Sequence, residues 1–361
     1  MENRRSFIKK SGIFVAASTL PFPNILFSET KEKLGIALLG LGGYSSGQLA
    51  PALQLTEHCE LKGIITGSPE KIPVWQKKYN IKDSNVYNYD NMHTIADNDE
   101  IDVIYVVTPT FLHEKYAVMA ANTGKHVWCE KPMAITATEC QNIITACKKN
   151  RVKLAIGYRM QHEPVTQTII KWADTKPYGN IKSVKTEAGF RIGQSGGWRL
   201  DGAKGGGAMY DMGVYPLNAT RYSTGLEPIS VSARHETERK DLFLNNAHEI
   251  TYFNLEFPHG IKADCRVTYA DSVNYLDVKC ENGSYKLEPF SSYNGVKGKT
   301  TDGKVLKAFK GNEQAKQMDA DALSVMQSTA LLVPGEEGMR DIRIVEAIYK
   351  SASNNSEVIN L

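Results

Sequence analysis

Leu34-Gly35-Ile36-Ala37-Leu38-Leu39 runs directly into Gly40-Leu41-Gly42-Gly43-Tyr44-Ser45. A short apolar strand that empties into a glycine-rich turn is an arrangement that grips a dinucleotide pyrophosphate. Gly40 permits the tight turn. Gly42 and Gly43 let the backbone approach the phosphates, whose charge then rests on the N-terminus of the next helix beside Tyr44 and Ser45. Ser45 stands where the pattern asks for Gly or Ala, and it is small enough for a helix to pack closely on the strand. Taken alone, the same string also suits a plain turn at a strand end, so the rest of the chain decides.

Outward from that turn, the pattern alternates. Apolar runs recur at 61–65, 103–107, 126–129 and 154–158, and helical stretches fall between them at 47–55, 72–79, 113–123 and 137–150. Buried strands joined by helical crossovers make a parallel, doubly wound sheet, which binds ligands beyond the carboxyl ends of its strands. After Tyr158 the character changes. Helices are expected at 162–174 and 206–223. Alternating strands follow at 229–234, 249–257, 261–269, 275–281 and 285–289, separated by Pro258-His259-Gly260 and Asn282-Gly283, and a last helix covers 340–353. The expected architecture is α/β plus α+β: a Rossmann dinucleotide-binding domain over 31–158, then an open, mainly antiparallel sheet domain over 159–361 for substrate binding and oligomerisation. An open sheet has a second face to cover, and a symmetry mate would cover it, so a homodimer or homotetramer is expected.

The 361 residues suffice for two cores, and 42% hydrophobic with 23% charged residues is ordinary for a globular protein. A net charge of +3 implies neither a nucleic-acid nor a membrane-surface role. No apolar run approaches the ~20 residues of a membrane span. Arg4-Arg5-Ser6-Phe7-Ile8-Lys9, followed by the mild apolar stretch 12–20, resembles a bacterial twin-arginine export signal, so residues 1–30 are expected to be a leader and the protein periplasmic. That route exports folded proteins, which suits an enzyme that carries its nucleotide with it. The six cysteines do not form a framework. Cys265 and Cys280 could face each other across a hairpin turning near 271–273, but two buried thiols fit the pattern better.

Chemistry-bearing residues gather at the predicted strand ends. Thr66-Gly67-Ser68-Pro69-Glu70-Lys71 carries no acid at Thr66 or Ser68, where enzymes selecting NAD hold the ribose 2′-hydroxyl. Their hydroxyls and Lys71 suit a 2′-phosphate, so NADP is favoured and NAD stays possible. Lys71 also reads as a solvated helix residue. Thr108-Pro109-Thr110 ends one strand and Cys129-Glu130-Lys131-Pro132 the next. Glu130 and Lys131 are expected as an ion pair at the carboxyl edge, or as a plain surface salt bridge. His113 either lies near the nicotinamide ribose or caps the helix it opens. Asp211 and Tyr215 share a face at i, i+4 spacing, with Pro216 expected to kink their helix. No metal-ligand spacing occurs, so no metal is expected.

In order along the chain, Gly40-Leu41-Gly42-Gly43-Tyr44, Gly124-Lys125-His126-Val127-Trp128-Cys129-Glu130-Lys131-Pro132-Met133, Gly157-Tyr158-Arg159, Trp198-Arg199-Leu200, Gly205-Gly206-Gly207 through Asp211-Met212-Gly213-Val214-Tyr215, and Pro334-Gly335-Glu336-Glu337-Gly338 resemble the Gfo/Idh/MocA oxidoreductases, most of all their glucose–fructose oxidoreductase group. The resemblance implies that Lys131, Asp211 and Tyr215 form the catalytic cluster of an NADP-dependent sugar oxidoreductase acting at C1 of an aldose. It places Tyr158, Arg159, Trp198 and Arg199 in the sugar pocket, the last three also beside the cofactor. Much of the family carries His where this chain has Tyr215. A tyrosine, of pKa ~10, can be the base if an adjacent ammonium pulls it down. The glucose–fructose enzymes also carry an arm before the first strand that clasps the nucleotide, whereas here Lys31-Glu32-Lys33 leads straight into Leu34. Two alternatives stand beside this reading: an NAD-dependent glycosidase of the same superfamily, and a sugar- or nucleotide-binding protein without turnover.

Overall fold

The computed structural model describes residues 31–361, so the twin-arginine reading of 1–30 lies outside the described residues. Six parallel strands form the first sheet: β1 (Leu34–Leu39), β2 (Cys59–Ile65), β3 (Val86–Tyr87), β4 (Val103–Val106), β5 (His126–Cys129) and β6 (Leu154–Ile156), in the order β3-β2-β1-β4-β5-β6. All six residues of β1 are buried, as a strand covered on both faces requires. The turn after β1 leads into a wide π-helical segment, Ser45–Leu49, and a short α1 (Ala50–Leu53). The remaining crossovers are α2 (Ile72–Tyr79), α3 (His113–Asn122) and α4 (Ala137–Lys149). A capping box starts α4: Thr136 Oγ1 accepts from the Glu139 amide, and the Glu139 carboxylate accepts from the Thr136 amide.

Past α5 (Arg159–His162) and α6 (Pro164–Thr175) the chain builds the second sheet, which is mixed and mainly antiparallel. Its strands are β7 (Ile181–Gly189), β8 (Ser230–Glu236), β9 (Ile250–Glu256), β10 (Lys262–Thr268), β11 (Val273–Cys280), β12 (Gly283–Leu287), β13 (Gly298–Thr300), β14 (Val305–Leu306) and β15 (Ile359–Asn360), in the order β14-β13-β12-β11-β7-β10-β9-β8-β15. Between β7 and β8 lie α7 (Ala208–Met212) and α8 (Val214–Thr224), where one helix was expected; α9 (Glu313–Met326) and α10 (Gly335–Ser353) come late in the chain. Pro216 falls in the first turn of α8, where its missing N–H has no partner to lose.

Several expectations change. The strand β7 was not anticipated, yet it is central and pairs in parallel with β10 and antiparallel with β11. It therefore separates Cys265 from Cys280, so these two do not face each other across a hairpin, and all six cysteines are free thiols. The helix α9 was also not anticipated. Its Ala315, Met318 and Ala322 pack into the core on the β1/β2/β4 side of the first sheet, while Ile342 of α10 joins the opposite face and Ile344, Val345 and Ile348 join the second core. A boundary at 158/159 thus divides the sheets but not the cores. Finally, the outer face of the second sheet is not apolar. Arg266 reaches Glu187 at 2.9 Å, Tyr275 donates to Glu187 at 2.6 Å, and Arg234 lies over the Tyr252 ring at 3.8 Å. Such a face suits water and a polar partner surface alike, so it does not bear on the expected homodimer or homotetramer.

Candidate active site

The carboxyl ends of β1, β4 and β5 open towards α7 and α8. Gly40 turns the chain at φ +101°, and a Cβ there would sit 2.9 Å from the Val107 carbonyl oxygen, so only glycine fits. Above Gly42 and Gly43 there is open space, the cradle a pyrophosphate needs. Ser45 is buried and donates to the Gly40 carbonyl at 2.5 Å, which ties the turn to its helix. Lys71 reaches back to the same turn, its ammonium 3.1 Å from the Leu41 carbonyl oxygen. Thr66 spends its hydroxyl as acceptor for the Ser68 amide at 3.0 Å. At the end of β4 the Thr108 hydroxyl is buried without a hydrogen-bond partner among the described residues. Open space over two glycines, a cation at the end of β2 and an orphaned buried hydroxyl at the sheet edge all fit a dinucleotide.

His113, next to Pro109 and Thr110, is fully enclosed. Its two ring nitrogens face the Pro132 and Thr108 carbonyls at 2.9 and 2.7 Å. The ring therefore clips the β4 and β5 loops together, and neither nitrogen is left for a ribose. Glu130 and Lys131 also part company. Glu130 turns inward: Tyr105 donates to its Oε1 at 2.7 Å, and a Cβ on Gly157 would lie 2.6 Å from the same oxygen. Burial pushes its carboxyl up, against the downward pull of the Tyr105 hydrogen bond and the Lys131 charge. The expected ion pair is thus absent, because the backbone at a strand end sends successive side chains to opposite sides.

Lys131 faces outward to α7 and α8. Its Nζ donates to the Asp211 carbonyl oxygen at 2.8 Å, lies 3.4 Å from Asp211 Oδ1, and stands 5.0 Å from the centroid of the Tyr215 ring. Burial opposes charge on this amine, but Tyr215, Asp211, Tyr293 and Glu130 around it outweigh burial and raise its pKa. Asp211 is itself buried. Its Oδ2 accepts from Arg199 Nε at 2.9 Å and from Tyr269 Oη at 2.7 Å. Burial alone would push this carboxyl up; the Lys131 and Arg199 charges with those hydrogen bonds overcome it and hold the carboxyl at about 2. Asp211 is therefore the anion that pins two cations. No hydrogen bond among the described residues engages the Tyr215 hydroxyl, so it is available to a ligand.

Lys131, Tyr158, Arg159 and Tyr215 line one cavity with Asn218 and Tyr222. Tyr158 is buried on its inner side, towards Asp341 and Arg221. Arg159 forms a buried ion pair with Glu313 of α9 and donates to the Ser292 carbonyl at 3.1 Å. Trp198 and Arg199 stack at 4.6 Å beside Asp211. Three contributors were missed from sequence. Tyr269 continues the inward alternation of Cys265 and Val267, a signal that was there to use. Tyr293, on a loop, and Glu313, on an unanticipated helix, carried no local signal.

Residues 34–158 match the model of an oxidoreductase family with an NAD-binding Rossmann fold, and residues 166–286 match the Gfo/Idh/MocA C-terminal domain. The crystal structure of an aldose–aldose oxidoreductase from Caulobacter crescentus, complexed with glycerol, superposes with a TM-score of 0.88 at 36% identity, covering 91% of this chain and 100% of that one. The chain belongs to the Gfo/Idh/MocA oxidoreductase family. A further relative is the D-xylose 1-dehydrogenase [NADP(+)] of Haloarcula marismortui, 27% identical over 91% of this chain and 94% of its own length. The scyllo-inositol 2-dehydrogenase (NADP(+)) of Bacillus subtilis is 22% identical over 91% and 96%. The family assignment accounts for both sheets and for the crevice between them in which Lys131 and Tyr215 meet.

Proposed function

We propose that this Gfo/Idh/MocA protein is an NADP-dependent sugar oxidoreductase that oxidises an aldose at C1, with Tyr215 as the base. The observation that carries the reading is the convergence of Lys131, Asp211 and Tyr215 beyond the carboxyl end of β5, with Lys131 and Tyr215 lining one cavity. The bound nicotinamide supplies the acceptor for the hydride that leaves C1. Tyr215, as its phenolate, takes the proton of the C1 hydroxyl, so the aldose loses a hydride and a proton and departs as a lactone. Lys131 keeps a positive charge against the phenolate and offers N–H donors to sugar hydroxyls. Asp211 holds that ammonium, and the Arg199 guanidinium, in place. The lack of an acid at Thr66 and Ser68 after β2, with the Lys71 ammonium beside the glycine turn, supports a 2′-phosphate, hence NADP. The NADP named for the xylose and inositol dehydrogenases agrees with it. Export in folded form behind Arg4-Arg5 belongs to the same proposal and is checked by finding the protein in a periplasmic fraction.

The test is a panel of aldoses given to the purified chain with NADP while the reduced-nicotinamide absorbance is followed. Tyr215→Phe is expected to lower turnover by about two to four orders of magnitude with NADPH binding retained. Unchanged turnover removes Tyr215 as the base, and nitrophenol release from aryl glycosides would favour a glycosidase instead.

A further inference from the structure

Tyr293 is 51% exposed on the loop that follows β12, yet it is held from several sides. The Arg159 guanidinium lies 4.3 Å from its ring centroid. The same arginine donates to the neighbouring Ser292 carbonyl and is locked by Glu313, the side chains of that pair being 4% and 3% exposed. Asn274 holds the loop again, its Oδ1 accepting from the Phe290 and Ser291 amides at 2.9 and 3.1 Å. A half-exposed aromatic ring fixed by a buried ion pair is organised for a ligand rather than for the core.

Its position says which ligand. Across the crevice stands Tyr44, next to the open space over Gly42 and Gly43, with ring centroids 6.3 Å apart and planes at 42°. On the other side, Arg159 lies 5.6 Å from the Tyr215 ring centroid, and Lys131 lies 5.0 Å from the same centroid. Tyr44 and Tyr293 therefore mark the stretch between the pyrophosphate turn and the catalytic pair. A dinucleotide reaching from one to the other brings its nicotinamide half there. Resting on the NADP reading above, we propose that Tyr293 is a binding residue for the nicotinamide half of the dinucleotide and that it forms with Tyr44 an aromatic pair closing on the cofactor from both halves of the chain. Flat heteroaromatic rings stack on phenol faces, and Tyr293 gives up little conformational entropy because Arg159 already fixes it.

The test compares two ligands on the full chain. NADPH release, followed by its fluorescence, is expected to accelerate about tenfold in Tyr293→Ala, the scale of one lost stacking contact. Affinity for 2′-phospho-ADP-ribose, which lacks the nicotinamide, is expected to stay unchanged. Tyr293→Phe keeps the ring and is expected to release NADPH as the parent does. Tyr293→Leu keeps bulk without an aromatic face and repeats the measurement if the alanine variant does not fold. Unaltered NADPH release in the alanine and leucine variants overturns the proposal, and so does an equal loss for both ligands. A parent chain that binds neither ligand overturns the NADP reading itself.

Discussion

Replacing Asp211 by Asn keeps the shape of the side chain and removes its charge. The carboxylate faces Lys131 Nζ at 3.4 Å and Arg199 Nε at 2.9 Å, with Tyr269 Oη at 2.7 Å. These partners hold the carboxyl at about 2, against an ordinary 3.8. At ~1.36 kcal/mol per pH unit, that difference makes the ionised form worth about 2.5 kcal/mol to the folded state. Only 9% of the side chain is exposed, so little of this is lost to solvent screening. The native carboxyl lies below its unfolded value. The contribution is therefore whole above about pH 4 and fades as pH falls through about 2, with about half left near pH 3. Asp211→Asn should unfold in urea with a deficit of about 2 to 3 kcal/mol at pH 7, shrinking to about half that at pH 3. A deficit equal at both pH values would refute the electrostatic account and leave a packing defect as the cause.

Lys71→Gln should weaken NADP while leaving NAD binding unaltered, measured by titration of each nucleotide; equal loss of both would remove the 2′-phosphate argument. Glu313→Gln leaves the buried Arg159 guanidinium without its counter-charge, so chemical denaturation should show a loss of about 3 to 5 kcal/mol. Gly157→Ala puts a methyl 2.6 Å from Glu130 Oε1, a contact that must displace Glu130 from Tyr105. It should lower the thermal midpoint, and an unchanged midpoint would mean that this carboxylate moves freely.

The contrast between what could and could not be read in advance follows sequence separation. Lys131, Asp211 and Tyr215 were legible as candidates because Lys131 sits at a strand end and Asp211 and Tyr215 lie four positions apart, although the structure divides those two between α7 and α8. The partners that orient them were not: Tyr269 meets Asp211 across 58 positions, and Arg159 meets Glu313 across 154. The strand β7 escaped because Ile181-Lys182-Ser183-Val184-Lys185-Thr186-Glu187 alternates only weakly, with its polar positions on the ion-paired outer face. The helix α9 escaped because its buried side mixes apolar Ala315, Met318 and Ala322 with polar Glu313, Gln314, Gln317 and Asp321, which breaks the apolar periodicity.

By itself the sequence determined the doubly wound sheet and the glycine turn at Gly40, and it singled out Lys131, Asp211 and Tyr215 as candidates. Those depend on backbone sterics and on the periodicity of neighbouring residues, which act within a few positions of chain. Tertiary structure alone decided that Glu130 faces inward while Lys131 faces Asp211, that β7 divides β10 from β11, and that Tyr293 stands opposite Tyr44. Those outcomes depend on which strands pair and which buried charges meet when distant segments close on one another, and no local pattern encodes that choice.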